Sequence, residues 1–230
     1  MKKCAIIIAA YDAAEFINTC VNSIMNQKPV DGWTIEIRVG TDGCYRTAQK
    51  MRIPFYASER NVGAYVIRNS LIYASPADCY SYFDADDAMM PDYLFRSLSV
   101  ISAGADAVIA AKLQSDSKLR PIISSKSCLQ AGGAITFTKK ALDMVGGFRS
   151  FRCAADTDFM YRLEMAGIKI QKITDPLYYR RCHPRQLTRK SDTAFGSLYR
   201  RKSWAQMTID RGKGIIKIDP EIVKLTRRIP

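Results

Sequence analysis

A chain of 230 residues, 47% hydrophobic and 25% charged with a formal charge of +13, is long enough for one substantial core and too apolar to be disordered. No apolar run approaches the roughly 18 residues of a membrane-spanning helix. Seven cysteines, odd in number and without a CxxC, argue against a disulfide framework or a zinc site and predict a reducing, cytoplasmic setting.

The start, "MKKCAIIIAAYD", carries two lysines before an apolar run. That run stops at Tyr11 and Asp12, so it reads as a first strand buried on both faces rather than a secretory leader. Asp12 and Glu15 have capping-box spacing, and Phe16, Ile17, Cys20, Val21, Ile24 and Met25 follow at helical intervals to about Gln27. "TIEIRV" (34–39) alternates as a strand does, "TDGC" (41–44) is turn chemistry, and "PFYAS" (54–58) is a weak strand. A helix is predicted over 62–75, a strand over 79–84, a helix from Pro91 to about Ser102, and a strand over 106–111. The second half yields a strand at 134–138, a helix at 139–145 broken by Gly146–Gly147, and a helix over 156–166 stopped at Gly167. Strands at 168–173 and 176–181 follow, with helices of undefined boundary from Gln186. Cys4, Cys20 and Cys79 fall in the apolar patterns and are expected to pack as small hydrophobes.

Alternation of strand and helix over the first 111 residues predicts an open, mostly parallel α/β sheet. Ligands of such sheets bind beyond the carboxyl ends of the strands. Asp12, Asp42 and the cluster Asp84, Asp86, Asp87 each follow a predicted strand, so one sheet edge would gather them. Asp84 and Asp86 form a D-x-D, hard oxygen ligands of the kind that hold Mg²⁺ or Mn²⁺ while phosphate and water complete the shell. An acidic turn capping the next helix is the bland alternative. "NVGAYVIRN" (61–69) adds Gly63 for close backbone approach. It also adds Arg68, a cation for a diphosphate or a partner for a carboxylate.

Taken together, "IIIAAYDAAEFINTCVNSIMNQ", "TDG", "NVGAYVIRN", "FDADD", "GGFRSFRCAADTDFMYRLEMAGIKI" and "YRRCHPRQLT" resemble family 2 glycosyltransferases of the GT-A fold. The likeness runs over residues 4–188. It implies an inverting, metal-dependent transfer from a nucleoside-diphosphate sugar, with a UDP-sugar as the first expectation and Mn²⁺ or Mg²⁺ as cofactor. It also implies Ala10, Tyr11 and Asp42 around base and ribose, Asp84 and Asp86 as the D-x-D with Asp86 on the metal, Asp156 as catalytic base, and His183 at the metal or diphosphate. Three positions depart from the family pattern. Thr41 stands where an acid usually precedes Asp42, Ala155 replaces the acidic neighbour of Asp156, and Asp12 replaces the usual Asn or Glu. Asp158, two residues on, is a second candidate base.

A metal and a nearby cation offset charge on the departing phosphate, and a carboxylate on the opposite face takes the acceptor's proton. His183 is the only histidine and is weighed against a purely structural role. Tyr80, Tyr82 and Phe83, like Phe159, Tyr161 and Leu163, are expected in the core, and Trp204 is expected to staple its helix to the body. A nucleotidyltransferase would need an early glycine-rich loop, which "AAYDAAEF" lacks. A non-enzymatic nucleic-acid-binding protein would leave the acid cluster unexplained.

Charge is uneven along the chain. Residues 180–230 hold 14 Lys and Arg against 4 Asp and Glu, +10 of the total +13, which leaves +3 for the first 179. A basic C-terminal helical appendage (186–230) is therefore expected on a catalytic domain (1–185) with a donor half (1–111) and an acceptor half (112–185). An anionic acceptor follows, such as DNA with hydroxymethylated bases or a phosphorylated glycan, with peripheral membrane contact as another use of the charge.

Overall fold

The computed structural model describes residues 1–74, 76–122 and 134–230; Cys128 lies outside them. The strands are β1 (Lys2–Ala10), β2 (Trp33–Asp42), β3 (Phe55–Ser58), β4 (Cys79–Asp84), β5 (Ala88–Met89), β6 (Ala107–Ser115), β7 (Ala134–Thr138), β8 (Ile170–Arg181) and β9 (Thr226–Arg228). The helices are α1 (Ile17–Met25), α2 (Tyr45–Ala48), α3 (Ala64–Tyr73), α4 (Tyr93–Ser102), α5 (Lys139–Val145), α6 (Ala155–Met165) and α7 (Leu198–Gly212).

Among the described residues the strands form one sheet in the order β5-β8-β6-β7-β4-β1-β2-β3-β9. β1 shows why its sequence is continuously apolar. Cys4, Ile6, Ile8 and Ala10 enter the core on one face, while Ala5 and Ile7 enter the core on the other. The first core is closed by α1 and α4 through Ile17, Cys20, Val21, Leu94 and Leu98. The second is closed by α3, α5 and α6 through Ile67, Leu71, Leu142, Phe159 and Leu163. Burying a strand on both faces requires helices on both sides, and this three-layer packing supplies them.

Direction matters more for the site. β1 runs parallel to β2 and β4, so Ala10, Asp42 and Asp84 all lie at one carboxyl edge. β7 is antiparallel to β4 and to β6, which turns β6 and its parallel partner β8 back to the direction of β1. The end of β8 at Arg181, and His183 just beyond it, therefore reach the same edge.

Three sequence expectations change. Asp12 does not cap α1: it has a left-handed φ of 51°, and Phe16 is the N-cap without a side-chain hydrogen bond. The two strands expected at 168–173 and 176–181 are one strand. Its register against β6 slips around Ala111, where Pro176 cannot donate to the ladder and an irregularity absorbs it. From Gln186 the chain is only partly helical. A 3-10 turn (Leu187–Arg189) and α7 precede an irregular strap, and β9 then adds antiparallel to β3.

That strap explains the glycine pair. The Val145 carbonyl accepts from the Ile218 N–H at 3.2 Å. A Cβ on Gly146 (φ 79°) would run into the Ile218 carbonyl, and Gly147 faces Pro220. The strap is also held by Asn69 Nδ2 donating to Glu221 O at 3.3 Å and by Val223 N donating to Ser70 Oγ at 2.9 Å. No helix among the described residues is long and apolar enough to cross a membrane, and the six described cysteines are free thiols.

Candidate active site at the carboxyl edge

Asp84 ends β4, and the chain turns sharply to β5. The turn brings carboxylate oxygens of Asp84, Asp86 and Asp87 within 4.8 Å of one another. The group is hard, anionic and oxygen-only, the donor chemistry suited to a small divalent cation. Each carboxylate meets a different neighbour. Asp84 pairs with the guanidinium of Arg68, which comes up from α3. Asp86 Oδ2 lies 2.9 Å from His183 Nε2. Asp87 is buried and accepts the Arg181 backbone N–H at 2.9 Å.

Electrostatics record the crowding. Although 38% of the Asp84 side chain is exposed, protein packed around its carboxyl raises its pKa to about 6; Arg68 opposes the rise, and Asp86 and Asp156 add to it. Burial pushes Asp87 well above the carboxylate range, and Asp86 and Asp84 push it further. Clustered carboxylates of this kind favour a proton or a cation.

Arg68 is buried, with its guanidinium carbon 4.5 Å from the Tyr82 ring centroid and 5.2 Å from that of Tyr65. Of the two roles open to it in the sequence, it takes the carboxylate. The Tyr65 hydroxyl donates to Asp156 Oδ1 at 3.1 Å. A continuous path of contacts thus links Asp84 to Asp156 through Arg68 and Tyr65. Asp156 sits in the first turn of α6 after Ala154, whose φ is 68°.

Asp158 has another life. It is buried, and it accepts from Arg149 Nε at 3.2 Å and from Arg162 Nε at 2.8 Å. Arg162 also donates to Val145 O and Gly147 O at 2.6 and 2.7 Å, tying α6 to the end of α5. Both Asp158 oxygens are therefore used in holding the fold.

Asp42 is buried at the end of β2, and its carboxylate receives the Val62 and Gly63 N–H groups at 2.7 and 3.0 Å. Burial raises its pKa, and those two amides oppose the rise. It clamps the loop that opens α3, while Ala10 is buried at the tip of β1. Tyr11 is 52% exposed, with Lys190 Nζ 5.9 Å from its ring centroid.

His183 is buried against Phe16, with ring centroids 4.7 Å apart. Its Nδ1 has no hydrogen-bond partner among the described residues. Arg181 Nε donates to the Asp86 carbonyl at 2.6 Å, its side chain also donates to Ser117 O, and its guanidinium carbon lies 4.7 Å from the Phe16 ring centroid.

Sequence reasoning missed Arg181 and Tyr65 as members of this constellation. Tyr65 precedes Arg68 by three residues, a spacing that puts both on one helix face, so a usable signal was present. For Arg181 the neighbouring "RRCHPRQ" drew attention to the histidine alone.

The Trp204 staple is overturned. Trp204 is 47% exposed, and Ser203, Met207 and Asp210, spaced i, i+4, i+7, are the buried residues of α7. The anchor is ionic, with Arg149 Nη2 lying 2.8 Å from Asp210 Oδ2. Tyr80, Tyr82, Phe83, Phe159 and Leu163 are core residues as expected.

The family model described as "Glycosyl transferase family 2" matches residues 5–159. Solved structures share the fold. TarS 1-349 from S. aureus in complex with UDP-GlcNAc is 18% identical with a TM-score of 0.63, over 80% of this chain and 59% of that one. The mannosyltransferase PcManGT from Pyrobaculum calidifontis, in complex with GDP-Man and Mn²⁺, is 17% identical with a TM-score of 0.65, over 84% of this chain and 61% of that one. The chain thus spans about three fifths of the length of these neighbours. No curated protein sequence matches the chain significantly.

Proposed function

Because this chain belongs to glycosyl transferase family 2, we propose that it transfers a sugar from a nucleoside-diphosphate sugar to an acceptor hydroxyl with inversion at the anomeric carbon. The observation that carries this reading is the convergence of Asp84, Asp86 and Asp87 at the carboxyl edge, with Asp156 joined to them through Arg68 and Tyr65. The fold supports it: TarS with UDP-GlcNAc and PcManGT with GDP-Man are built on the same sheet.

The residues fit a divalent cation: three carboxylates lie within 4.8 Å, and Asp84, with a pKa near 6, is crowded by like charge. Asp86, with Asp84 and Asp87 beside it and His183 behind it, would hold Mn²⁺ or Mg²⁺. When bound, the ion supplies positive charge against the oxygens of the departing diphosphate.

The chain's own groups do the rest. Arg68 neutralises Asp84 and keeps its carboxylate aimed along the sheet edge. His183 and the Arg181 main chain fix Asp86 and Asp87 from the β8 side. Asp42 clamps the 61–63 loop, so that Ala10, Tyr11 and that loop form the base and ribose wall. Asp156 takes the proton of the incoming hydroxyl. The Tyr65 hydroxyl orients it. Commitment of both Asp158 oxygens to arginines supports Asp156 over Asp158 as the base.

The donor half is residues 1–111 and the acceptor half 112–185. A charge of +10 over residues 180–230 favours an anionic acceptor, a phosphorylated glycan or modified DNA. The test is release of nucleoside diphosphate from UDP- and GDP-sugars, with and without Mn²⁺, followed by transfer to candidate acceptors. Metal-stimulated release from at least one donor is expected. No release from any donor overturns the reading.

A further inference from the structure

The outer face of α7 is not used by the site. Its buried residues, Ser203, Met207 and Asp210, face the body, and what remains is unusual for a water-facing surface. Phe195 is 77% exposed, Leu198 60%, Ile209 50% and Trp204 47%. Phe195 and Trp204, with Arg200 and Arg201, line a shallow recess of about 340 Å³. From Thr193 to Ile209 there is no acidic residue, while Arg200, Arg201 and Lys202 are consecutive. Arg200 is tied to the Thr193 carbonyl at 3.0 Å, but Arg201 and Lys202 have no carboxylate partner among the described residues.

A scattered exposed leucine needs no explanation. Two aromatic rings and two aliphatic side chains on and just before one 15-residue helix, flanked by unpaired cations, do. The geometry points to docking of this face on an anionic lipid bilayer. α7 would lie in the headgroup plane, with Leu198, Trp204 and Ile209 at the acyl boundary and Arg201 and Lys202 on the headgroup phosphates. Amphipathic helices of this composition bind such surfaces by apolar burial plus attraction to acidic lipid.

A nucleic-acid strand is the competing occupant, and the aliphatic residues weigh against it. Stacking on bases uses rings, whereas Leu198 and Ile209 offer neither a π face nor a hydrogen bond; an acyl boundary uses all four. The start of α7 also packs against the segment that leads to the proposed base. The Arg152 guanidinium carbon lies 5.5 Å from the Tyr199 ring centroid, and Arg152 stands four residues before Asp156. A docked enzyme would therefore meet acceptors carried on the bilayer. Docking itself does not depend on the proposed reaction.

The experiment is co-sedimentation of the full chain with phosphatidylcholine vesicles, with and without phosphatidylglycerol, and with duplex DNA as a separate arm. Binding should require phosphatidylglycerol and shift the tryptophan emission to the blue, and W204F should lose the shift. L198S/I209S should weaken vesicle binding at least about tenfold. R201S/K202S should weaken it about 20-fold at low salt and reduce its salt dependence, at roughly fivefold per basic residue. All four positions are exposed, so thermal midpoints should match the parent and separate docking from folding. Absence of binding to anionic vesicles, binding unaffected by L198S/I209S, or binding to DNA alone would each overturn the proposal. None of these readouts requires donor or turnover, so loss of docking and loss of the glycosyl-transfer reading are told apart.

Discussion

Two groups of carboxylates, assembled from distant parts of the chain, have opposite fates. In the first, buried Asp158 and Asp210 meet buried Arg162 and half-buried Arg149, two acids with two bases. In the second, Asp84, Asp86, Asp87 and Asp156 converge on the sheet edge, where Arg68 is the side chain paired to Asp84 and Arg181 gives Asp87 only its main-chain N–H. The first group is closed and lends rigidity to the α5–α6–α7 contacts. The second is left with excess negative charge, and three of its members stay partly open to water. Charge that the fold neutralises internally is structure; charge it leaves open is an invitation to a ligand.

The sharpest way to break that contrast is to neutralise the first of the two acids that stand two residues apart on α6. D156N should retain donor binding and lose about 10²–10⁴-fold in transfer, because an amide cannot take a proton. Donor titration and initial rates report both quantities, and normal transfer would remove Asp156 from the chemistry. At the proposed metal-holding group, D86A should lower turnover by about 10²-fold or more while the fold stays intact, since charge stabilisation by a metal is worth several kcal/mol. Near-parental rates over a range of Mn²⁺ would dissolve the distinction from the acid side.

The closed group should answer in stability instead. D158A leaves buried Arg162 without its carboxylate and half-buried Arg149 with Asp210 alone, a loss of about 3 kcal/mol. Denaturant melts should show it, with the folded fraction keeping its rate constant for transfer. Smallest is G146A, which forces a methyl against the Ile218 carbonyl at a φ of 79°. About 1–3 kcal/mol should be lost, with faster amide exchange along the strap and little change in donor affinity. An unchanged melt would mean that the strap yields freely.

Legibility followed the length scale of the cause. The buried strand "CAIIIAA" and the acids at strand ends could be read because local pattern and one topological rule suffice. Asp12 was misread as a cap because its left-handed backbone depends on the loop it enters, where Arg185 comes within 3.8 Å of it and 2.7 Å of Glu15. Trp204 was misread because helical pattern fixes a face, not which face is turned inward; that choice rests on the distant Arg149. Asp158 and Arg162 stand at i, i+4 on α6, a pairing the sequence does announce; the Arg149 contact to the other Asp158 oxygen, made from outside the helix, was not legible.

The strap and β9 carry one more consequence, for the order in which the molecule assembles. β9 reaches its partner β3 across roughly 170 residues of chain, and the entropy of closing so long a loop must be met before the pairing is rewarded. The parallel ribbon of β1, β2 and β4 closes much shorter crossovers. Long-range pairings of this sort form slowly, so the sheet should exist transiently with its β3 edge bare. A slow, small-amplitude phase seen by pulse-labelled amides of β3 and the Val145–Ile218 contact, after the bulk of the sheet is protected, would be the kinetic signature of a clasp that fastens last.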